Sequence, residues 1–201
     1  MGKVFQAFRH VAGIRTDLAS HLEKWLSVVG GLAGLTGVML ISQAQLGGPG
    51  STGLVASMGA SAVLLFAVPH GPLSQPWPVL GGHLVSALVG VTCAKAIAQP
   101  MLAGPVAVGL AIGSMHYLRC IHPPGGATAL SAVVGGESVH QLGFHFILSP
   151  VLWNAVVILL VALLFNYPFA WRRYPLALAH RAAPAEPGST DSDTHLVTTD
   201  E

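Results

Sequence analysis

Charge is scarce in this chain, and the scarcity sets its class. Of 201 residues only 8% are charged while 52% are hydrophobic, against about 25% charged in soluble domains. Between Trp25 and Asn166 the only Lys, Arg, Asp or Glu residues are Lys95, Arg119 and Glu137. So little charge cannot dress a water-facing surface, and the chain reads as an integral membrane protein. The net charge of +1, with no long basic run, excludes a nucleic-acid partner. Cysteine is nearly absent as well. Cys93 and Cys120 lie in or at the end of apolar segments, which excludes a disulfide framework and a metal knuckle and predicts buried thiols. A cleavable signal is not expected either, because the first 24 residues, with Lys3, Arg9, Arg15 and Lys24, are polar-amphipathic and no cleavage site follows a short apolar core. Residues 1–25 are therefore expected to be a cytoplasmic segment.

What the chain has in quantity is glycine, 24 residues, and proline, 14, and the prolines divide the apolar sequence. The first span covers Leu26 to Ile41, with Gly30, Gly31, Gly34 and Gly37 spaced for close helix approach. A polar turn, Gln43 to Gly53, leads to a second apolar segment from Leu54 to Val68, capped by Ser51 or Thr52 and ended by Pro69. Pro69 to Pro78 is expected to be extended and non-helical, with Trp77 at the membrane interface. Spans then follow over Val79 to Ala98, Leu102 to Leu118 and Phe144 to Phe165. Pro124 to Val134 is too short to cross a core that takes about 20 residues, and reads as broken or re-entrant. The fold expected is all-α, a polytopic transmembrane bundle with four full spans and two short interrupted segments, six crossings in all. The membrane domain covers 26–175, and 176–201 is read as a disordered acidic tail because Glu186, Asp191, Asp193, Asp200 and Glu201 fall there. Basic residues before the first span and after the last place both termini in the cytoplasm.

The chain is organised around Arg119 to Leu130, where His122-Pro123-Pro124-Gly125-Gly126 breaks and restarts the helix. Pro123 disfavours the α conformation at His122, and Pro124 suits a first helical turn. Gly125 and Gly126 leave the new N-terminus bare, which fits either an anion nest or a plain interhelical turn. Gly126-Ala127-Thr128-Ala129 also echoes Gly59-Ala60-Ser61-Ala62, and Pro150-Val151-Leu152 echoes Pro78-Val79-Leu80. Each half then reads as a span, an interrupted segment and a span, the signature of an inverted repeat with a substrate site between the interrupted helices. On that reading Ser57, Gly59, Ala60 and Ser61 face His122, Gly125, Gly126, Ala127 and Thr128 around a pocket for a small anion, supported by Arg119, His83 and Gln75. No metal or cofactor is expected, since His83, His116, His122 and His145 lack ligand-spaced partners. Lys95 should snorkel, and Glu137 reads as a loop carboxylate.

The residues Ser57 to Phe66, Pro72-Leu73-Ser74-Gln75-Pro76, Gly82-His83, Ser86 to Val91, His122 to Leu130 and Arg173-Tyr174-Pro175 together resemble the HPP family of integral membrane proteins. The resemblance covers Leu26 to Pro175. It implies four membrane-spanning segments and, because some plant and cyanobacterial members are implicated in nitrite transport, an anion carrier. Three positions depart from the family pattern. Met58 replaces a common Phe, Gly125 a common Ala, and Trp77-Pro78 a common Arg-Asn, which removes a cation. The expected function is transport of a small inorganic anion, nitrite by resemblance, across a bacterial inner membrane. A membrane scaffold is the alternative, with an enzyme disfavoured for want of a nucleophile or paired carboxylates. The partners expected are the anion, the bilayer and further copies of the chain.

Overall fold

A computed structural model describes residues 19–46 and 52–180, together with positions 5, 8 and 10–12. The tail beyond 180, most of the first 18 residues and Ser51 lie outside the described residues. Helix α1, His21–Leu46, starts ahead of Leu26 because Ser20 caps it, its hydroxyl accepting from the Glu23 amide at 3.2 Å. Helix α2, Thr52–Ala67, buries Leu54, Ser57, Met58, Ser61, Ala62, Leu65 and Phe66, one stripe at helical spacing. A single 3-10 turn, Pro72–Ser74, precedes α3, Pro76–Ala96. The expectation of an extended linker through Pro78 is thus corrected. Pro76 and Pro78 occupy the first turn of α3, where an amide hydrogen has no helical partner to lose.

Helix α4, Pro100–Tyr117, and α5, Pro124–Val134, are separated by the His-Pro-Pro break. The restart at Pro124 and the end at Val134 agree with the sequence reading. After a short helix α6, Glu137–His140, the expected last span is interrupted. Ser149 is extended at φ −142° and ψ 111°, since Pro150 disfavours α conformation before it and lacks an amide donor. Regular helix resumes as α7, Trp153–Asn166, and a short α8, Leu176–His180, follows. Among the described residues there is no strand. Among the described residues three helical stretches are long and apolar enough to cross a bilayer, His21–Leu46, Pro76–Ala96 and Ile147–Asn166. α4 is not among them, so the four full spans expected become three by this measure.

Helix α5 packs most extensively on α3 and also on α4 and α2, while α1 packs on α2 and α7. Ala103, Ala107 and Ala111 of α4 form a small-residue seam with Ala129 and Val133 of α5 and Cys93 of α3, the close packing available in lipid. Both cysteines are buried and unpaired.

The segment after α7 folds back on the α2–α3 linker. Buried Arg172 donates through Nε to Asn166 Oδ1 at 2.8 Å and through Nη2 to the carbonyl of Phe66, putting a cation at the C-terminal end of α2 where the helix dipole favours it. The Tyr174 hydroxyl donates to the Ser74 carbonyl at 2.8 Å, and burial pushes its phenol up from the ordinary value. His70 Nε2 donates to the Arg173 carbonyl at 2.9 Å. Two stretches quoted above for the resemblance, Pro72 to Pro76 and Arg173 to Pro175, therefore form one hydrogen-bonded clasp.

Candidate functional site

Ser57 and Ser61 stand one turn apart on α2, so their hydroxyls leave the same face. Opposite them α5 supplies Thr128, α3 supplies His83, and the break before α5 supplies His122. All five side chains have no exposed surface. Ser57 Oγ donates to the Pro124 carbonyl at 2.7 Å and lies 2.7 Å from Thr128 Oγ1. Thr128 Oγ1 is in turn 2.7 Å from His83 Nδ1. His83 Nε2 and His122 Nε2 both reach Ser61 Oγ, at 2.8 and 2.9 Å. His122 Nδ1 ends the chain at the Leu73 carbonyl, 2.8 Å away. A carbonyl only accepts, so His122 Nδ1 carries a hydrogen. The rings meet edge to face, with 4.9 Å between centroids and 67° between planes.

The bare anion nest expected at the start of α5 is not formed. Pro123 and Pro124 have no amide hydrogen, the Gly125 amide donates to the His122 carbonyl at 2.8 Å, and the Gly126 amide donates to the Pro123 carbonyl at 3.0 Å. The turn consumes its own donors. Gly125 instead permits close helix contact: a β-carbon there would stand 2.8 Å from both the Gly82 carbonyl oxygen and Ser86 Oγ. Gly59 and Gly126 do not face each other. Leu35 is the neighbour of Gly59 and Val108 that of Gly126. Ala60 and Ala127 are exposed and line a shallow apolar groove with Val63, Leu64, Pro123 and Pro124.

Of the supporting residues, His83 belongs to the centre of the cluster. Gln75 holds the loop that presents Leu73: its amide nitrogen donates to the carbonyls of Pro69 and Gly71 at 3.1 and 2.9 Å, and its oxygen accepts from the Leu176 amide at 3.0 Å. Arg119 is exposed and does another job. It takes φ 53° as the left-handed residue ending α4, with its amide bonded to the His116 carbonyl and the Cys120 amide to that of Met115. That is a Schellman ending, in which glycine is the usual occupant. Trp77, where the resemblance implied a cation, donates its indole N–H to the Leu118 carbonyl at 3.1 Å. Glu137 is an exposed carboxylate accepting from Gln141 Nε2 at 3.0 Å. Lys95 is exposed, with its ammonium 5.8 Å from the centre of the Phe144 ring.

Sequence reasoning missed the pairing of His83 with Ser61, which lie 22 residues apart, and the parts played by the Leu73 and Pro124 carbonyls. Arg172 reads in the sequence only as one of the basic residues after the last span, and its burial against Asn166 has no signal there.

Comparison with known proteins agrees with this architecture. Residues 17–175 match the family described as HPP, transmembrane region. Two proteins of Dictyostelium discoideum, each named only as a transmembrane protein, are similar over 127 residues. One is 44% identical, covering 61% of this chain and 40% of the relative; the other is 43% identical, covering 61% and 44%. The chain thus matches less than half the length of these relatives. No solved structure matches it.

Proposed function

The chain belongs to the HPP transmembrane family, and on that premise we propose that it carries a small inorganic anion, nitrite by resemblance, through the cluster of Ser57, Ser61, His83, His122 and Thr128. The observation that carries this reading is a wholly buried, hydrogen-bonded polar group at the meeting of α2, α3 and α5 in a membrane bundle. Polar side chains held inside a membrane domain are costly and commonly mark a transport path. The anion would be held by hydroxyls and imidazole N–H groups rather than by the amides of Gly125 and Gly126, which the turn already uses.

The proposed inverted repeat draws support from the packing. Exchanging α1, α2 and α3 for α4, α5 and α7 carries the α1–α2 contact onto α4–α5 and the α1–α7 contact onto α4–α3. A six-crossing arrangement in a bacterial inner membrane, with both termini cytoplasmic and the chain acting as a carrier rather than an enzyme, completes the reading. Assembly of several copies is compatible with it.

The full chain in proteoliposomes, supplied with nitrite, nitrate, formate or chloride, tests the proposal. Nitrite uptake above empty vesicles, lowered at least tenfold by Ser61→Ala in folded protein, supports it; absence of uptake of all four anions overturns it. Complete burial of the cluster equally suits a scaffold with a closed conduit, and the same uptake measurement separates the two.

A further inference from the structure

The cluster is one unbroken line of hydrogen bonds: Pro124 carbonyl, Ser57, Thr128, His83, Ser61, His122, Leu73 carbonyl. It has six links, and both ends are carbonyl oxygens that can only accept. With both imidazoles neutral, the five side chains bring one hydrogen each. Six links cannot be filled by five hydrogens. Suppose Ser57 donates to Pro124; then Thr128 must donate to Ser57, His83 Nδ1 must donate to Thr128, and His83 Nε2 is left bare. Ser61 then faces two bare nitrogens with one hydrogen, for which the Ser57 carbonyl at 3.3 Å also competes. Reversing the line only moves the gap to the Ser57 end.

From this count we propose that the cluster is a proton-binding site, taking one proton from water so that either His83 or His122 becomes an imidazolium and all six links are made. No bond other than N–H forms, and the proton leaves by the same route. Ser61 joins the two rings, Thr128 and Ser57 carry the line from His83 to the Pro124 carbonyl, and His122 reaches the Leu73 carbonyl directly, so the charge can rest on either ring by turning the Ser61 hydroxyl. The inference is read from geometry alone and stands whether or not the chain carries an anion.

Other titratable or charged groups on the surrounding elements do not enter the line. α2, α5 and the stretch Ile147–Asn166 carry none; α3 carries Cys93 and Lys95 besides His83; α4 carries His116 and Tyr117, followed by Arg119 and Cys120; α1 carries His21, Glu23 and Lys24 near its start; the linker that holds Leu73 carries His70, and the segment clasped to it carries Arg172, Arg173 and Tyr174. Among the described residues no carboxylate is bonded to either ring. The proton is held by hydrogen bonds to neutral oxygens and nitrogens.

The count also specifies its own test. Removing the Ser57 hydroxyl deletes two links and one hydrogen, which leaves four links and four hydrogens, all satisfied by neutral rings. Removing the Thr128 hydroxyl does the same. The full chain in lipid bilayers, labelled with 15N-histidine, is followed by solid-state NMR across pH, the two rings being identified by their mutual contact at 4.9 Å. The expected result is a single imidazolium for the pair, with the second ring neutral over the same range. Ser57→Ala and Thr128→Val should each weaken proton binding at least about tenfold, the scale of one hydrogen bond to a charged group. Ser57→Thr, which restores a hydroxyl, should return it. If Ser57→Ala does not fold, Thr128→Val carries the test, read with Ser57→Thr. Two neutral rings at every pH where the protein is folded, two rings charging together, or unchanged proton affinity in the alanine and valine variants would each overturn the proposal.

Discussion

Gly90 lies against Ala129 so closely that a β-carbon on it would come 2.5 Å from the Ala129 carbonyl oxygen and 2.9 Å from its Cα. Backbone, unlike a side-chain tip, cannot step aside. Gly90→Ala should therefore force α3 and α5 apart, at a cost of about 1–3 kcal/mol. Gly113→Ala, where a β-carbon would meet no atom of the described residues within 4 Å beyond its own stretch of helix, should be neutral or slightly stabilising through helix propensity. Thermal unfolding of both variants in detergent checks the pair; equal effects would refute the contact.

Arg119→Gly distinguishes an anion-attracting cation from a helix ending. Glycine adopts the left-handed conformation at φ 53° without steric cost. The substitution should keep or raise stability, by up to about 1 kcal/mol, and leave anion uptake within twofold of the parent. A large fall in uptake would assign Arg119 a direct part in transport.

His122 bridges the Leu73 carbonyl and the Ser61 hydroxyl. Leucine in its place takes away the partner of the part-buried Leu73 carbonyl, at about 1–3 kcal/mol, while the Ser61 hydroxyl keeps His83. Glutamine can donate to one and accept from the other, so His122→Gln should be the more stable of the two variants. Denaturant titration of the two in the same detergent checks the order, and the reverse order would show that packing rather than hydrogen bonding holds the break.

Arg172→Lys should destabilise the protein by about 2–4 kcal/mol, since an ammonium cannot span Asn166 and the Phe66 carbonyl as the planar guanidinium does. Faster proteolysis of the 69–76 loop would accompany the loss. A Lys variant as stable as the parent would mean that the clasp contributes nothing measurable.

The sequence showed most clearly what is enforced locally. The limits of α5 were readable because Pro123 and Pro124 act on their immediate neighbours, and the membrane class was readable from the missing charge. Pro76 to Pro78 misled because proline opens a helix as readily as it interrupts one, and nothing in the four-proline stretch distinguishes the two. The last span misled in the opposite direction, since its hydropathy runs on through Ser149 while its backbone does not. At the site, the internal repeat set Ser57 and Ser61 opposite His122 and Thr128. The central place of His83, expected only as a supporting residue, depends on the approach of α3 to α5, which glycines such as Gly82, Gly90 and Gly125 permit but do not announce.

The clasp between the α2–α3 linker and the segment after α7 joins residues made about a hundred positions apart: Arg172 with Phe66, Tyr174 with Ser74, Leu176 with Gln75, at separations of 106, 100 and 101. On the ribosome the first three helices emerge and enter the bilayer long before Arg172 is added. The Phe66 and Ser74 carbonyls must wait for these partners until that segment arrives. A chain halted after α7 would hold α1 to α7 with the linker between α2 and α3 still unlatched.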